Sequence, residues 1–193
     1  MSVKIIGGEF RGFSLDTPRQ ETTRPTSVLV RRKLYDWRQH LDDYQFIDLC
    51  AGSGAMAFEA LSRGAEKVFC NDILRGAFLT LKKNHERLTA AFRLEPDRVK
   101  VSSTDAVEWV KKELPYEFQD TGSCIIFLDP PYEKHEIYFG VLKALKEANY
   151  QGELWLESDI FKGPKKDELT REFESIIKVI EQGDHFVVVG KVV

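Results

Sequence analysis

Asp129-Pro130-Pro131-Tyr132 is the stretch of this 193-residue sequence whose residue types most directly suggest chemistry. Two prolines stiffen the chain and remove two backbone donors. What remains is rich in acceptors, namely the Asp129 carboxylate and the Pro130 carbonyl. An exocyclic amino group on a nucleobase offers two N–H donors, and its lone pair is delocalised into the ring. Acceptors gripping both N–H groups would draw that lone pair out of conjugation and turn it toward a methyl donor. Tyr132 can stack on the face of the base. Such a pocket needs the base swung out of its helix or loop. A bare Asp-Pro-Pro turn is often structural. Here it follows Cys124-Ile-Ile-Phe-Leu128, the most apolar run that reads as a strand.

A second constellation suggests a nucleoside ligand. Asp48-Leu49-Cys50-Ala51-Gly52-Ser53-Gly54 falls where an apolar strand meets a helix, and its glycines allow a tight turn and close approach of a ligand. It lacks the third glycine of a dinucleotide fingerprint and the Gly-Lys-Ser/Thr of a phosphate loop. A ligand without a pyrophosphate is therefore expected. Asn71-Asp72 ends the next strand, 18 residues after Gly54, where a carboxylate can accept from both ribose hydroxyls. Thr104-Asp105 ends the third strand and can reach the adenine edge. Helix capping is the plainer role for Asp72 and Asp105. With Ile73 and Ala106, which follow these carboxylates, Asp48, Cys50, Ala51, Gly52, Ser53 and Gly54 complete the expected cofactor-binding set.

Several chemistries find no support. Cys50, Cys70 and Cys124 are isolated and read as reduced core residues, not a disulfide or metal framework. Methylation at C5 of a pyrimidine needs a cysteine nucleophile, and none is expected in a suitable loop. His40, His85, His135 and His185 show no metal-ligand spacing, so no metal is expected; His135 reads as a surface histidine. No apolar run approaches the ~20 residues of a membrane span, and the first residues lack a signal-peptide pattern. A cytoplasmic protein with no membrane partner is the expectation.

The elements that must position these groups alternate. Strands are read at Phe46–Cys50, Lys67–Asn71, Val99–Ser102, Cys124–Leu128 and Leu154–Glu157, and helices at Ala55–Arg63, Ile73–Phe92, Asp105–Lys112 and Ile137–Ala148. This is the pattern of an α/β protein with a Rossmann-like, mostly parallel sheet. Ile176–Ile180 and Phe186–Gly190, flanking Gln182-Gly183-Asp184, read as a C-terminal antiparallel hairpin. Pro164–Glu168 reads as a mobile polar surface segment. Residues 1–40 form a separate-looking extension with a glycine-broken β-hairpin over Lys4–Leu15, a loop at Thr22–Ser27 and a helix from Val28 to Arg38 capped by Thr26 or Ser27. Residues 41–193 form the main domain.

The formal net charge is −3, but its distribution is uneven. Residues 1–40 hold Lys4, Arg11, Arg19, Arg24, Arg31, Arg32, Lys33 and Arg38 against Glu9, Asp16, Glu21 and Asp36, a net +4. The remainder then carries −7. A basic arm on an acidic body suits a nucleic-acid partner, although Arg31-Arg32-Lys33 could equally be a solvated helix face.

Together, Asp48–Gly54 and Asp129–Tyr132 resemble the class I S-adenosylmethionine-dependent methyltransferases. Ile5-Ile-Gly-Gly-Glu-Phe-Arg-Gly12, Thr23-Arg-Pro-Thr-Ser27, Val30-Arg31 before Leu34-Tyr35, Glu59-Ala-Leu-Ser-Arg-Gly-Ala65 and Gly183-Asp184 resemble the RsmD family of 16S rRNA guanine-N2 methyltransferases. The resemblance implies S-adenosylmethionine, a seven-stranded sheet, and a guanine amine in 16S rRNA, presented in an assembling or assembled small ribosomal subunit to a monomeric enzyme. It implies that Arg11, Arg24 and Thr26 contact RNA or order the catalytic loop, and Arg31 is placed with them. Val28-Leu29, Arg32-Lys33 and Met56-Ala-Phe58 depart from the family pattern. The alternatives are an adenine-N6 DNA methyltransferase, which normally carries a separate target-recognition domain, a non-catalytic S-adenosylmethionine- or RNA-binding module, and a protein glutamine methyltransferase, which usually has Asn at position 129.

Overall fold

The computed structural model describes residues 2–18, 28–118 and 120–193. Nine strands and six helices are formed among them. The N-terminal pair is β1 (Ser2–Lys4) and β2 (Ser14–Asp16), followed by α1 (Val28–Trp37). Then come β3 (Gln45–Asp48), α2 (Ala55–Ser62), β4 (Lys67–Asn71), α3 (Arg75–Phe92), β5 (Val99–Ser102), α4 (Ala106–Glu117), β6 (Cys124–Leu128), α5 (His135–Glu147) and β7 (Glu153–Asp159). The chain ends with α6 (Lys166–Thr170), β8 (Ser175–Gln182) and β9 (His185–Lys191).

Seven strands form one sheet in the order β5-β4-β3-β6-β7-β9-β8. The first five are parallel, and β9 runs antiparallel to both β7 and β8. β6 is buried at every position because both of its faces are covered by helices, as a central parallel strand requires. The topology reverses between β3 and β6, and this is where open α/β sheets bind ligands, beyond the carboxyl ends of the strands. Among the described residues no helix is long and apolar enough to cross a membrane.

The described part of residues 1–40 shares a core with the sheet. Val3, Ile5, Phe10, Leu15, Val30, Leu34 and Tyr35 pack in one cluster with Phe46, Phe127 and Trp155. The N-terminal hairpin is clasped to α2. Ile6 N donates to Glu59 Oε2 at 2.7 Å, Phe10 N donates to Ser62 Oγ at 2.8 Å, and Ser62 Oγ donates to Gly7 O at 2.6 Å. Gly8 has φ +71°, and a Cβ there would stand 1.8 Å from Ser62 O. Only glycine permits that approach. The expected hairpin over Lys4–Leu15 is thus paired mainly at its ends, Ser2–Lys4 with Ser14–Asp16, because the middle turns aside to bond α2.

Other boundaries also differ from expectation. β3 stops at Asp48; beyond it Ala51 N still reaches Asn71 O of β4, and Gly54 N closes a turn onto Ala51 O. α3 starts at Arg75 because Asp72 Oδ1 takes the Leu74 N–H. α4 runs past Lys112 and through Pro115 to Glu117, held by buried Trp109, Val110 and Leu114. The Pro164–Glu168 stretch expected to be mobile instead leads into α6. Lys165 N donates to Glu168 Oε2 at 2.9 Å, and Leu169 is fully buried.

Candidate active site

Five carboxylates line one edge of five adjacent strands. Asp105 follows β5, Asp72 follows β4, Asp48 ends β3, Asp129 follows β6, and Glu157 lies near the end of β7. Parallel strands bring their carboxyl ends to a common edge, so this row follows directly from the topology.

The glycine loop lies between β3 and α2. Gly52 and Gly54 have φ of +55° and +82°. The Cβ position of Gly52 faces open space, whereas a Cβ on Gly54 would stand 2.4 Å from the Phe58 ring. Asp72 bonds the loop, accepting from Gly52 N at 2.9 Å through Oδ2 and from Leu74 N at 2.9 Å through Oδ1. Asp105 caps α4, accepting from Val107 N at 2.9 Å and Glu108 N at 3.1 Å. Asp105 thus performs the capping role that sequence offered as the plainer reading, whereas Asp72 braces the glycine loop and the turn before α3, whose N-cap is Leu74.

Asp48 differs. It is buried, its Oδ1 has no hydrogen-bond partner, and Cys50 N–H donates to the carboxylate. Burial, then the neighbouring Asp129 charge, push its pKa well above the usual carboxylate range. A buried carboxylate with an unbonded oxygen is costly without a partner, and it suits a cationic ligand. Ala51, Ser53 and Ala106 are buried, Ile73 is exposed, and Cys50 is half-buried. Cys50 lies just past β3, in the glycine loop and not within a strand as expected. Burial and the Asp72 and Asp48 charges push its thiol well above the ordinary range, which disfavours a thiolate there.

The Asp129–Tyr132 loop is anchored from three sides. Asp129 and Tyr132 are half-buried, Pro130 is buried and Pro131 is exposed. Lys134 N donates to Pro131 O at 2.8 Å, closing the turn. The Tyr138 hydroxyl of α5 reaches Pro130 O at 3.4 Å, a long contact that leaves acceptor capacity on that carbonyl. The Tyr132 hydroxyl donates to Glu157 Oε1 at 3.3 Å and shares a 2.9 Å hydrogen bond with His185 Nδ1. Glu157 is fully buried and its Oε2 has no partner. Burial, then Asp129, raise its pKa well above normal.

Four organising residues lay outside the sequence expectation: Asn71, Tyr138, Glu157 and His185. Asn71 Nδ2 donates to Leu49 O and Thr104 O at 3.1 and 2.8 Å, and its Oδ1 accepts from Ser102 Oγ and Thr104 N, both at 2.9 Å. One amide thereby ties together the loops after β3, β4 and β5.

Of the expected RNA-contact residues, Arg11 is exposed. Arg31 is not available to a partner: it is 1% exposed and donates to Lys4 O at 2.7 Å. It is a structural arginine within the clasp of the N-terminal hairpin, which corrects its placement with the RNA contacts. Arg24 and Thr26 lie outside the described residues. His135 is on the surface, with Nε2 2.7 Å from Lys162 O. A cavity of about 420 Å³ between Gly8, His40, Asp42, Arg63 and Arg98 opens at the opposite edge of the sheet, away from the glycine loop and the Asp129–Tyr132 loop.

A mostly parallel seven-stranded sheet with a C-terminal antiparallel hairpin, a glycine loop after its first parallel strand and an Asp-Pro-Pro-Tyr loop after its fourth defines a class I methyltransferase fold. Comparison with known proteins agrees with it. yhhF from Escherichia coli is similar over 100% of both chains, at 23% identity and a TM-score of 0.75. RsmC from Thermus thermophilus, a 16S rRNA N2 G1207 methyltransferase solved with AdoMet and guanosine, is similar over 99% of this chain and 49% of its own, at 18% identity and a TM-score of 0.67. Ribosomal RNA small subunit methyltransferase D of Buchnera aphidicola is 32% identical over 135 residues, 68% of this chain and 64% of that relative's length. The chain thus spans slightly less than two thirds of this relative. The family model described as Conserved hypothetical protein 95 matches residues 3–184. The chain belongs to this family, the RsmD family.

Proposed function

We propose that this protein transfers a methyl group from S-adenosylmethionine to the exocyclic N2 of a guanine in 16S rRNA. The observation that carries the reading is the pairing of two features along one sheet edge. An open glycine loop lies beside buried Asp48, and one strand away Asp129-Pro130-Pro131-Tyr132 is held by Tyr138, Glu157 and His185. The names of the relatives point the same way.

The residues fit the cofactor. It carries a sulfonium and an ammonium cation and no phosphate. Carboxylates at the ends of four strands and an unbonded Asp48 oxygen suit two positive charges. Asp72 and Asp105 stand where a ribose and an adenine edge would meet acceptors, and each would exchange a backbone bond for a ligand bond or keep both. Bound there, the cofactor supplies an electrophilic methyl group.

Asp129 and the free acceptor capacity of Pro130 O would hold the two N–H groups of the base amine. Tyr132, fixed at its hydroxyl, presents its ring to the base. These groups align the amine lone pair for in-line attack, and orientation and exclusion of water contribute most of the acceleration. No strong base is needed before attack, because the nitrogen becomes acidic once methylated, and a carboxylate can then take the proton.

In this reading residues 1–40 serve as the RNA-binding extension of the domain at 41–193, with Arg11, Arg24 and Thr26 in that role. The protein acts as a cytoplasmic monomer on an assembling or assembled small ribosomal subunit, without a metal. The test is incubation of the protein with labelled S-adenosylmethionine and either 16S rRNA or small subunits from a strain lacking the gene, followed by nucleoside mass spectrometry. N2-methylguanosine is expected. N6-methyladenosine, or no transfer to either substrate, would refute the proposal.

A further inference from the structure

The loop between β7 and α6 holds two apolar side chains out in solvent. Phe161 is 70% exposed and Ile160 is 47% exposed. Scattered exposed apolar residues are ordinary. This loop is not ordinary, because its backbone is tied down almost residue by residue. Ile160 N donates to Asp184 O at 2.9 Å. Asp159 Oδ1 accepts from Lys162 N at 2.7 Å and from Gly163 N at 2.8 Å. Lys165 Nζ donates to Ile160 O at 2.9 Å, and Ser158 Oγ to Pro164 O at 3.2 Å. A Cβ on Gly163 would stand 2.1 Å from Ser158 Oγ, so the tight return of the loop requires glycine there. A chain with this many anchors keeps an exposed phenyl ring in a fixed place.

That place adjoins the catalytic loop. Lys162 Nζ meets Glu133 Oε1 at 2.7 Å, one residue after Tyr132, and His135 Nε2 lies 2.7 Å from Lys162 O. The surrounding charges are mixed: Lys134, Lys162 and Lys166 are paired with Glu136, Glu133 and Glu181, while Lys165 Nζ donates to a backbone carbonyl. A rigidly held, exposed aromatic ring at the rim of a pocket that takes an extruded base has the chemistry of a single-stranded nucleotide platform. Ring stacking accepts any base, and Lys165 keeps further N–H donors for a phosphate.

We infer that Phe161 stacks on the nucleotide next to the methylated guanine, and that the β7–α6 loop is a second RNA-binding surface besides the N-terminal extension. The inference rests on the proposed function for the position of the target base but not for the existence of the surface.

The experiment compares the full-length wild type with Phe161→Ala, Phe161→Trp and Lys165→Glu. Affinity for deproteinised 16S rRNA is measured by fluorescence anisotropy across a salt series, and S-adenosylmethionine affinity by calorimetry serves as the folding control. Phe161→Ala is expected to bind RNA about tenfold more weakly, with an unchanged salt slope, since a neutral contact releases no counterions. Its KM for RNA rises more than its kcat falls. Phe161→Trp restores binding, and Lys165→Glu flattens the salt slope. RNA affinity of Phe161→Ala within twofold of wild type overturns the inference, as does failure of tryptophan to rescue. A loss seen with small-subunit particles but absent with deproteinised RNA also overturns it, by assigning the loop to a ribosomal protein. If wild-type protein transfers no methyl group to RNA while Phe161→Ala still loses RNA affinity, the proposed reaction falls and the stacking surface stands.

Discussion

The Tyr132 hydroxyl and His185 Nδ1 lie 2.9 Å apart, joining the Asp129–Tyr132 loop to the first residue of β9 across 53 residues of sequence. Glu157 Oε1 completes the contact at 3.3 Å. The ring that would face the base is therefore positioned by two other strands. Tyr132→Phe keeps the ring and deletes the anchor. Turnover should fall about 10- to 100-fold, the scale expected of small misplacements at a reacting centre. His185→Ala should act through the same bond, so the double variant should be little worse than either single one, with a coupling of about 1.4–2.7 kcal/mol. Strictly additive losses in a double-mutant cycle would show that the two residues work separately.

Asp129 should separate chemistry from cofactor binding. Asp129→Ala removes the acceptor for the amine and leaves the glycine loop intact. Turnover should become undetectable while the calorimetric affinity for S-adenosylmethionine stays within a few fold. Retained turnover would sink the proposed mechanism.

Asp72 and Gly52 should affect the cofactor end. Asp72→Ala leaves the Gly52 N–H without its 2.9 Å partner and removes the expected ribose acceptor. Cofactor affinity should fall about tenfold or more, a loss on the scale of a hydrogen bond to a charged group. Equal affinities for variant and wild type would refute the ribose role.

The raised carboxylates give a pH prediction with a definite sign. Asp48 and Glu157 hold their protons above the usual carboxylate range in the folded, ligand-free protein. Their contribution to stability is full below the unfolded-state values and is lost as pH rises through the higher folded values. A cationic ligand beside them favours the ionised form and lowers those values. Binding of S-adenosylmethionine should therefore release protons, and affinity should rise with pH across that window. Calorimetry in buffers of different ionisation enthalpy measures the release, and Asp48→Asn should reduce it. Zero net release in wild-type protein would contradict the placement of the cation.

Arg31 and Arg11 should behave oppositely despite their shared charge. Arg31→Ala strands Lys4 O and empties a buried site, and should destabilise the fold by about 2–4 kcal/mol in denaturant titrations. Arg11→Glu should leave stability nearly unchanged and flatten the salt dependence of RNA binding. A stability loss at Arg11 comparable to that at Arg31 would mean that Arg11 serves the fold and not RNA.

The sheet was legible in the sequence because each parallel strand is an apolar run bounded by a turn, and the alternation with helices leaves few other topologies. The two loops that bear the expected chemistry were legible because both are local: one run of chain supplies each. Glu157, His185, Tyr138 and Asn71 were missed because their roles arise only when distant segments meet. Glu157 did leave a trace, since it ends the fifth apolar run, where the carboxyl edge must lie. Arg31 was misplaced because a count of charges does not show which face of a helix a residue occupies. Its spacing from Leu34 and Tyr35, three and four residues on, marks the buried stripe. The helix at Lys166–Thr170 was hidden by its polar composition, and only buried Leu169 betrays it.

The sheet order β7-β9-β8 imposes a schedule on the molecule. β8 precedes β9 in the chain, yet β9 occupies the place beside β7 and brings His185 to Tyr132. A β8 that docked first on the free edge of β7 would block that place with a parallel, wrong partner. The two-residue turn at Gly183-Asp184, with Gly183 at φ +59°, lets β8 and β9 close on each other within microseconds and arrive as one hairpin. Gly183 thus bears on the order of assembly: a residue that strains this turn should slow closure of the hairpin and give β8 time to reach β7 first.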